Sequence, residues 1–303
     1  MSVTFPSVTL PYFRDASLLP GPLPTDEEIE TASKLPTIRQ PRFSRLVLVR
    51  NKFVVKYGVP YTNAENEGNA MLFIEQNLDI PAPLLYAMYW KRPKGEKRDW
   101  LYIIMEYIPG ETLEVLWPGL SKSEKESILG QLRMIFKKMR SLPPQNFFGN
   151  VTGGPIEHQY FWTKVKDPEV NGPFQTEKQF NLALAKHSRI NWTDNHRHGW
   201  LADFYERNLP NALKGHESLF THADLQRKNI LVDKVTKSGE SHYVVTAVID
   251  WETAGWYPSY WEYSAMFCVL QWMEDWPECL EKIVDPWPLE AAMLRFIHQD
   301  LEY

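Results

Sequence analysis

Two stretches decide the fold of this chain: Phe220-Thr221-His222-Ala223-Asp224-Leu225-Gln226-Arg227-Lys228-Asn229-Ile230-Leu231-Val232 and, further on, Val248-Ile249-Asp250-Trp251-Glu252. Transfer of a phosphoryl group from a nucleotide needs a carboxylate near the acceptor hydroxyl and oxygen ligands that hold magnesium against the phosphates. Asp224 suits the first need, and Asn229 and Asp250 suit the second. The pattern therefore predicts a kinase-type catalytic site.

The spacing of these motifs also predicts local geometry. The apolar residues 230–232 and 244–249 are typical of two strands, and the turn-rich segment 236–240 between them indicates a β-hairpin. A hairpin would bring Asn229 and Asp250 to the same end, where phosphates and water complete a hard-cation site. An isolated aspartate at a strand end is more often a turn residue, but the ordered combination favours catalysis.

At this point the sequence resembles a known family, the aminoglycoside phosphotransferase and choline kinase-like small-molecule kinases. The motifs that carry the resemblance are His222-Ala223-Asp224-Leu225, Asn229-Ile230-Leu231-Val232, Ile249-Asp250-Trp251-Glu252 and Ala254-Gly255-Trp256-Tyr257-Pro258. Their wording is similar to the large fungal branch of the family. Ala223 stands where the family usually has glycine.

The resemblance implies roles for the residues of these motifs. Asp224 would be the catalytic base, and Asn229 and Asp250 would be the magnesium ligands. His222 would be a scaffold residue of the loop. The cofactors implied are ATP and Mg²⁺, and the acceptor is a hydroxyl group of a small molecule.

The resemblance also implies the architecture, which is an α+β, two-lobed, protein-kinase-like fold with a small β-rich amino-terminal lobe and a larger, mainly helical carboxy-terminal lobe. We expect an amino-terminal extension with a short helix over residues 1–35, a nucleotide-binding lobe over 36–110, and a lobe with the catalytic loop and acceptor site over 111–303. The length of 303 residues is sufficient for two such cores.

A nucleotide-binding lysine is expected in the amino-terminal lobe. Residues 52–58 alternate like a strand that ends in a turn, and this would place Lys56 within reach of the phosphates. The following segment predicts a helix on which Glu67, Met71 and Ile74 share one face with Leu78. That face would direct Glu67 toward Lys56, and such an ion pair orients the lysine for phosphate. Glu65 is the less favoured partner.

The segment Trp100-Leu101-Tyr102-Ile103-Ile104-Met105-Glu106-Tyr107-Ile108-Pro109-Gly110 predicts an apolar strand that ends in a Pro-Gly turn. In the kinase interpretation it is the hinge, where Glu106, Tyr107 and Ile108 would offer backbone groups to the adenine and Met105 would lie beside it. An ordinary buried strand followed by a turn is the alternative, because periodicity does not separate the two.

Two capping boxes predict helix starts, at Thr25 to Glu28 for a short helix to about Lys34 and at Ser121 to Glu124 for a longer one. The glycine-rich loop that covers the phosphates in protein kinases is missing, since residues 45–53 contain no glycine. Backbone amides or Arg50 are the candidates for that role.

Composition limits the partners. The formal net charge is −5 and no Lys/Arg-rich tract is present, so we expect no nucleic-acid partner. The amino terminus lacks the pattern of a secretory signal and no apolar run approaches the length of a membrane span, so we expect a cytoplasmic protein without a membrane partner.

The acceptor is less defined by the sequence than the catalytic site. Aromatic and acidic residues cluster near the carboxy terminus and could bind a cationic acceptor: Tyr260, Trp261, Glu262, Tyr263, Trp272, Glu274, Asp275, Trp276, Glu278 and Trp287. Packing of helices is the favoured interpretation for most of the aromatic ones. Only a few residues separate Glu252 from the Gly255-Trp256-Tyr257-Pro258 segment, which leaves no room for a long activation segment and disfavours a protein substrate.

Two alternatives stay open. One is a catalytically silent pseudokinase that acts as a nucleotide-binding or scaffold protein, which the missing glycine-rich loop keeps in consideration. The other is an enzyme in which phosphorylation only activates a hydroxyl for elimination or cyclisation, so that the final product lacks the phosphate.

Overall fold

The computed structural model describes residues 3–6, 8–35, 44–59, 65–196, 198–237, 239–270 and 274–301. The strands are β1 (Tyr12–Phe13), β2 (Ser33–Lys34), β3 (Ser44–Val49), β4 (Phe53–Gly58), β5 (Leu85–Lys91), β6 (Trp100–Glu106), β7 (Glu111–Thr112), β8 (Gly149–Asn150), β9 (Ser218–Thr221), β10 (Ile230–Lys237), β11 (Glu240–Val248) and β12 (Gly255–Pro258). The helices are α1 (Asp26–Thr31), α2 (Glu65–Asn77), α3 (Leu113–Leu116), α4 (Lys122–Arg140), α5 (Pro168–Asn171), α6 (Glu177–Asp194), α7 (Trp200–Ala212), α8 (Trp261–Cys268), α9 (Leu280–Ile283) and α10 (Pro288–Leu301).

The chain forms two compact units. One contains residues 4–125 and 227–252, and the other contains residues 1–3, 126–226 and 253–303. The first unit holds the larger sheet and the β10–β11 hairpin, and the second holds α5 to α10. The lobe boundary expected near Gly110 stays a prediction.

The first unit is built on an antiparallel sheet with the strand order β1-β5-β6-β4-β3-β2. Side chains alternate between the two faces of a strand, and in β4 Phe53, Val55 and Tyr57 belong to a core on one face. Val54 lies against the core on the other face, where α2 packs through Met71. Lys56 has the same parity as Val54, so β4 presents it toward α2.

Helix α2 is buried over most of its length, which holds its first turn in place. Met71 and Ile74 of the predicted stripe are buried together with Glu67. Leu78 is half-buried and follows the end of the helix, and its amide donates to the Ile74 carbonyl at 2.8 Å.

The turn between β3 and β4 is a tight hairpin. Arg50 and Asn51 have φ of 55° and 52°, and the Lys52 amide donates to the Val49 carbonyl at 3.1 Å. Positive φ at both central residues is the signature of a type I′ turn, whose twist matches that of the flanking strands. The turn reverses the chain without the glycines of a protein-kinase phosphate loop.

The segment before β3, from Pro20 to Glu28, binds this turn. The Arg50 guanidinium donates from Nε to Glu28 Oε1 at 2.7 Å and from Nη1 to the Pro22 carbonyl at 2.8 Å. Lys52 Nζ donates to the Pro20 carbonyl at 2.9 Å. Because its guanidinium is bound in this way, Arg50 is a poor candidate for a phosphate ligand.

The capping box at Thr25 and Glu28 is confirmed, but the predicted end of the short helix near Lys34 is wrong. The helix ends at Thr31, because Ser33 and Lys34 form β2 and pair with Leu48 and Val47 of β3. The capping box of α4 is confirmed by reciprocal bonds between Ser121 and Glu124.

The second unit contains a small sheet that positions the predicted catalytic loop. Strand β12 is antiparallel to both β8 and β9, and Gly255 lies opposite Asn150 on one side and Thr221 on the other. The loop of residues 222–226 therefore leaves the sheet at the edge where β12 begins. Its anchor is the large core in which aromatic residues such as Phe180 and Trp261 are fully buried.

Among the described residues, no helix is long and apolar enough to cross a membrane.

The turn geometry predicts opposite effects for two substitutions at Asn51. Asn51→Val should lower the free energy of unfolding by about 1–2 kcal/mol, because a β-branched residue is strained at positive φ. Asn51→Gly should be neutral or slightly stabilising. Urea unfolding measures both. Asn146→Val is the control, since Asn146 is exposed and is not among the residues with positive φ. Equal losses at the two positions would contradict the type I′ assignment.

Candidate active site

The ammonium group of Lys56 is surrounded by three carboxylates. Its Nζ lies 2.7 Å from Glu67 Oε2, 2.9 Å from Asp250 Oδ1 and 2.9 Å from Glu252 Oε2. The predicted Lys56–Glu67 pair is therefore present. Glu65 does not compete for the lysine, since its Oε1 accepts a bond of 2.6 Å from Trp90 Nε1.

Burial differs among the three carboxylates. The Glu67 side chain is only 5% exposed, whereas those of Asp250 and Glu252 are 32% and 46% exposed. Burial raises the pKa of Glu67 to about 7 against the opposing effect of Lys56, and the charges of Asp250 and Glu252 add to the rise. For Lys56, burial favours the neutral amine, but the three carboxylates outweigh it and hold the pKa well above its ordinary value.

The segment that carries Asp250 is fixed to α2 by a second contact. Asn66 is buried, and its Nδ2 donates to the Glu252 carbonyl at 2.8 Å. Asn66 and Glu67 thus reach this segment and Lys56 from consecutive positions in the first turn of α2. Asp250 itself has a left-handed backbone with φ of 64°, a conformation that persists only where the surroundings determine it.

The predicted hairpin brings Asn229 and Asp250 into register. Strands β10 and β11 pair Ile230 with Val248, and the Ile249 amide donates to the Asn229 carbonyl at 2.9 Å. Asn229 is buried, and it precedes β10 just as Asp250 follows β11. The roles of both residues as metal ligands stay predictions.

The predicted hinge segment follows β6 and is partly committed to internal bonds. The Glu106 amide donates to the Leu84 carbonyl at 2.9 Å, and the Tyr107 amide donates to the Lys52 carbonyl at 3.1 Å. Met105 is buried. These two amides are therefore not available to bind the adenine. The backbone groups still predicted to contact it are the carbonyl groups of the segment and the amide of Ile108.

In the second unit, the predicted catalytic loop is held by its own side chains. The Asp224 amide donates to His222 Nδ1 at 3.2 Å, and Gln226 Nε2 donates to Asp224 Oδ1. His222 is fully buried, whereas Asp224 is half-buried. Ala223 has φ of 67°, which explains why glycine is usual at this position in the family that the loop resembles.

A buried glutamate of α8 anchors the loop. Glu262 accepts hydrogen bonds from the amide of His222 at 2.7 Å and from the amide of Ala223 at 3.2 Å. Burial raises the pKa of Glu262, although His222 and Arg140 oppose the rise. Thr253 Oγ1 adds a bond of 2.9 Å to the His222 carbonyl. Glu262 thus positions Asp224 through the backbone of the loop.

These contacts bear on the cationic-acceptor hypothesis. Glu262 is committed to the loop, and Tyr260 and Trp261 are fully buried in the second unit. These three residues therefore do not form an open cage for a cation. Trp272 lies outside the described residues.

Sequence reasoning missed roles for Asn66, Glu252 and Glu262. Glu252 could have been found from its position two residues after Asp250. Asn66 gave a weaker signal, because it is one of several polar residues in the first turns of α2. Glu262 gave none, because its partners are backbone amides 40 and 39 positions away.

Comparison with known proteins agrees with this geometry. The profile of the phosphotransferase enzyme family matches residues 42–296. The chain belongs to this family. No curated protein matches it in sequence.

Solved structures of phosphotransferases resemble this family member over most of its length. A thermostable mutant of the aminoglycoside phosphotransferase APH(4)-Ia, in a ternary complex with ADP and hygromycin B, is 18% identical with a TM-score of 0.54 and coverage of 91% of this chain and 89% of its own. The streptomycin-ATP complex of APH(2")-IIa is 18% identical, with a TM-score of 0.52 and coverage of 91% and 83%. The GDP complex of aminoglycoside 2'-phosphotransferase-IIIa is 13% identical, with a TM-score of 0.56 and coverage of 91% and 88%.

At these identities the likeness establishes the fold alone. The predicted α+β, protein-kinase-like fold is confirmed, with an antiparallel sheet in the amino-terminal region and a helical carboxy-terminal region.

The pKa of Glu67 predicts a pH dependence of stability. Between the ordinary value of 4.5 and about 7, folded Glu67 keeps a proton that the unfolded chain releases, so the free energy of unfolding falls as pH rises through this window. Glu67→Gln should lack this fall, because glutamine has no titrating proton at this position. Urea titrations at several pH values measure it, with Glu65→Gln as the control. Parallel curves for wild type and Glu67→Gln would refute the assignment.

Glu262→Gln tests the anchor of the loop. The amide group has one oxygen, so one of the two backbone amides loses its acceptor, and we expect a loss of about 1–3 kcal/mol in the free energy of unfolding. Hydrogen exchange at His222 and Ala223 should accelerate. Glu278→Gln, at an exposed position, is the control. If both variants behave alike, Glu262 does not hold the loop.

Proposed function

We propose that the protein transfers the γ-phosphoryl group of ATP to a hydroxyl group of a small molecule and depends on Mg²⁺. The observation that carries the proposal is the Lys56 ammonium between Glu67, Asp250 and Glu252. Such a lysine, oriented by a buried carboxylate, suits the binding of nucleotide phosphates.

The residues of the first unit fit a hard divalent cation. Asp250 and Glu252 supply partly exposed carboxylates, and Asn229 adds an amide oxygen at the adjoining end of the hairpin. Carboxylate and amide oxygens are the donors that Mg²⁺ prefers. Asn229 and Asp250 would hold the ion, which when bound neutralises charge on the phosphates.

Asp224 is proposed as the base that orients the acceptor hydroxyl and takes its proton. Gln226 donates to one oxygen of the Asp224 carboxylate and fixes its rotation. The carboxylate thereby has a defined orientation for the acceptor hydroxyl. Positioned bases of this kind contribute a factor of about 10²–10⁴ to the rate.

The nucleotide and acceptor are proposed with support from the neighbouring structures. Those proteins are complexes with ADP, ATP or GDP, and two of them also contain hygromycin B or streptomycin. A nucleotide and a small-molecule acceptor are therefore the proposal here, with the base contacted between Met105 and Ile108. Strand β12 begins at Gly255, so the chain between Glu252 and β12 is too short for a long activation segment. On the sequence resemblance alone, we also propose that the protein belongs to the fungal branch of the choline kinase-like enzymes and that its acceptor is cationic.

Asp224→Asn tests the reaction. The amide does not take a proton from the acceptor, so we expect phosphoryl transfer to fall by at least about 10²-fold while nucleotide binding persists. A library of hydroxyl compounds with ATP or GTP, read by nucleotide consumption and by product mass, measures transfer. Thermal shift with Mg²⁺ and nucleotide measures binding. Asp233→Asn, on an exposed position of β10, is the control.

The outcomes separate the competing functions. Nucleotide binding without consumption or product across the library would support a catalytically silent scaffold and refute the enzyme. Nucleotide consumption with a product that lacks phosphate would indicate that phosphorylation only activates the hydroxyl.

A further inference from the structure

The Lys56 ammonium lies among three carboxylates that could also hold a metal ion. Its Nζ donates hydrogen bonds to Asp250 Oδ1 and Glu252 Oε2, both at 2.9 Å, and forms an ion pair with Glu67 Oε2 at 2.7 Å. One oxygen from each of Glu67, Asp250 and Glu252 also lies within 4.8 Å of the others, as the ligands of one cation must. The lysine and a divalent cation could therefore not both use the full set of carboxylates.

We propose that Lys56 is an internal competitor of the divalent cation: the carboxylates become available to a metal only when the ammonium moves to another anion. The inference rests on the proposed function, in which the nucleotide phosphates are that anion. Lys56 would exchange two carboxylates for phosphate oxygens, and the cation would take the carboxylates in its place.

Burial decides which bonds break. Glu67 is almost fully buried and makes the shortest contact with the ammonium, so the loss of its partner would leave a desolvated charge. Asp250 and Glu252 are accessible to water and lose less. Lys56 should therefore stay with Glu67 and release Asp250 and Glu252 to the metal.

Because of the Asn66 contact, this exchange requires movement of side chains but not of the backbone. Because Asn66 holds the Glu252 carbonyl at 2.8 Å, the backbone of the segment stays attached to α2 when the lysine departs. The carboxylates then face a cation without refolding. Binding of metal in the absence of nucleotide is limited by the lysine rather than by the shape of the site.

The test is the binding of Mn²⁺ without nucleotide. Lys56→Met has nearly the same length but no charge, and it should bind Mn²⁺ at least about tenfold more tightly than the wild type, since the competing ammonium is gone. Electron paramagnetic resonance of free Mn²⁺ measures the affinity. Lys52→Met, which removes a lysine bound to the Pro20 carbonyl, should match the wild type. Equal or weaker binding by Lys56→Met overturns the proposal.

Two double variants locate the ion and protect the test against misfolding. Lys56→Met with Asp250→Asn should lose the gain, and a retained gain would show that Mn²⁺ binds elsewhere and overturn the proposal. If Lys56→Met does not fold because Glu67 is left uncompensated, Lys56→Met with Glu67→Gln removes both buried charges. This pair should still bind Mn²⁺ more tightly than Glu67→Gln alone, and a failure to do so overturns the proposal.

Failure here is distinguishable from failure of the proposed function. If the wild type phosphorylates an acceptor but Lys56→Met gains no affinity for Mn²⁺, only the proposed competition is refuted. If Lys56→Met gains affinity for Mn²⁺ but the wild type forms no phosphorylated product, only the proposed function is refuted.

Discussion

The structure of the candidate nucleotide site depends on one constraint, the neutralisation of a buried carboxylate by Lys56. Glu67 sits in the first turn of a helix whose faces are nearly all covered, and its charge has little access to water. An isolated charge in such a place is costly, so strand β4 and helix α2 must keep their register for the ammonium to reach it. The packing of α2 on the sheet thus also determines the geometry of the site.

In the second unit the buried groups that need partners are hydrogen-bond donors rather than a carboxylate. The loop that carries Asp224 begins with backbone amides that are buried with His222, and these need acceptors. Glu262 provides both of its oxygens to them. A side chain from a helix therefore replaces the partner strand that the loop has left, and the orientation of Asp224 follows from the packing of α8.

The sequence predicted local patterns well and long-range partners unevenly. The hairpin after Asn229 and the strand that carries Lys56 follow from alternation and turn residues, and the Lys56–Glu67 pair follows from helical spacing. The end of α1 was mispredicted because pairing of Ser33 with β3 overrides local propensity. Asn66 and Glu262 bond to backbone groups of distant residues. Every residue carries such groups, so the side chain of the partner gives no sequence signal for these contacts.

The two-residue strands β1 and β2 have a consequence for solubility. They lie at the two outer positions of the larger sheet, next to β5 and β3. An open strand edge is a template for pairing with another chain and hence for aggregation. The segment from Tyr12 to Lys34 caps both edges with strands too short to extend the pairing, and its bonds to Arg50 and Lys52 keep it there. This segment therefore limits edge-to-edge pairing between the sheets of two copies of the protein, in addition to bracing the hairpin turn.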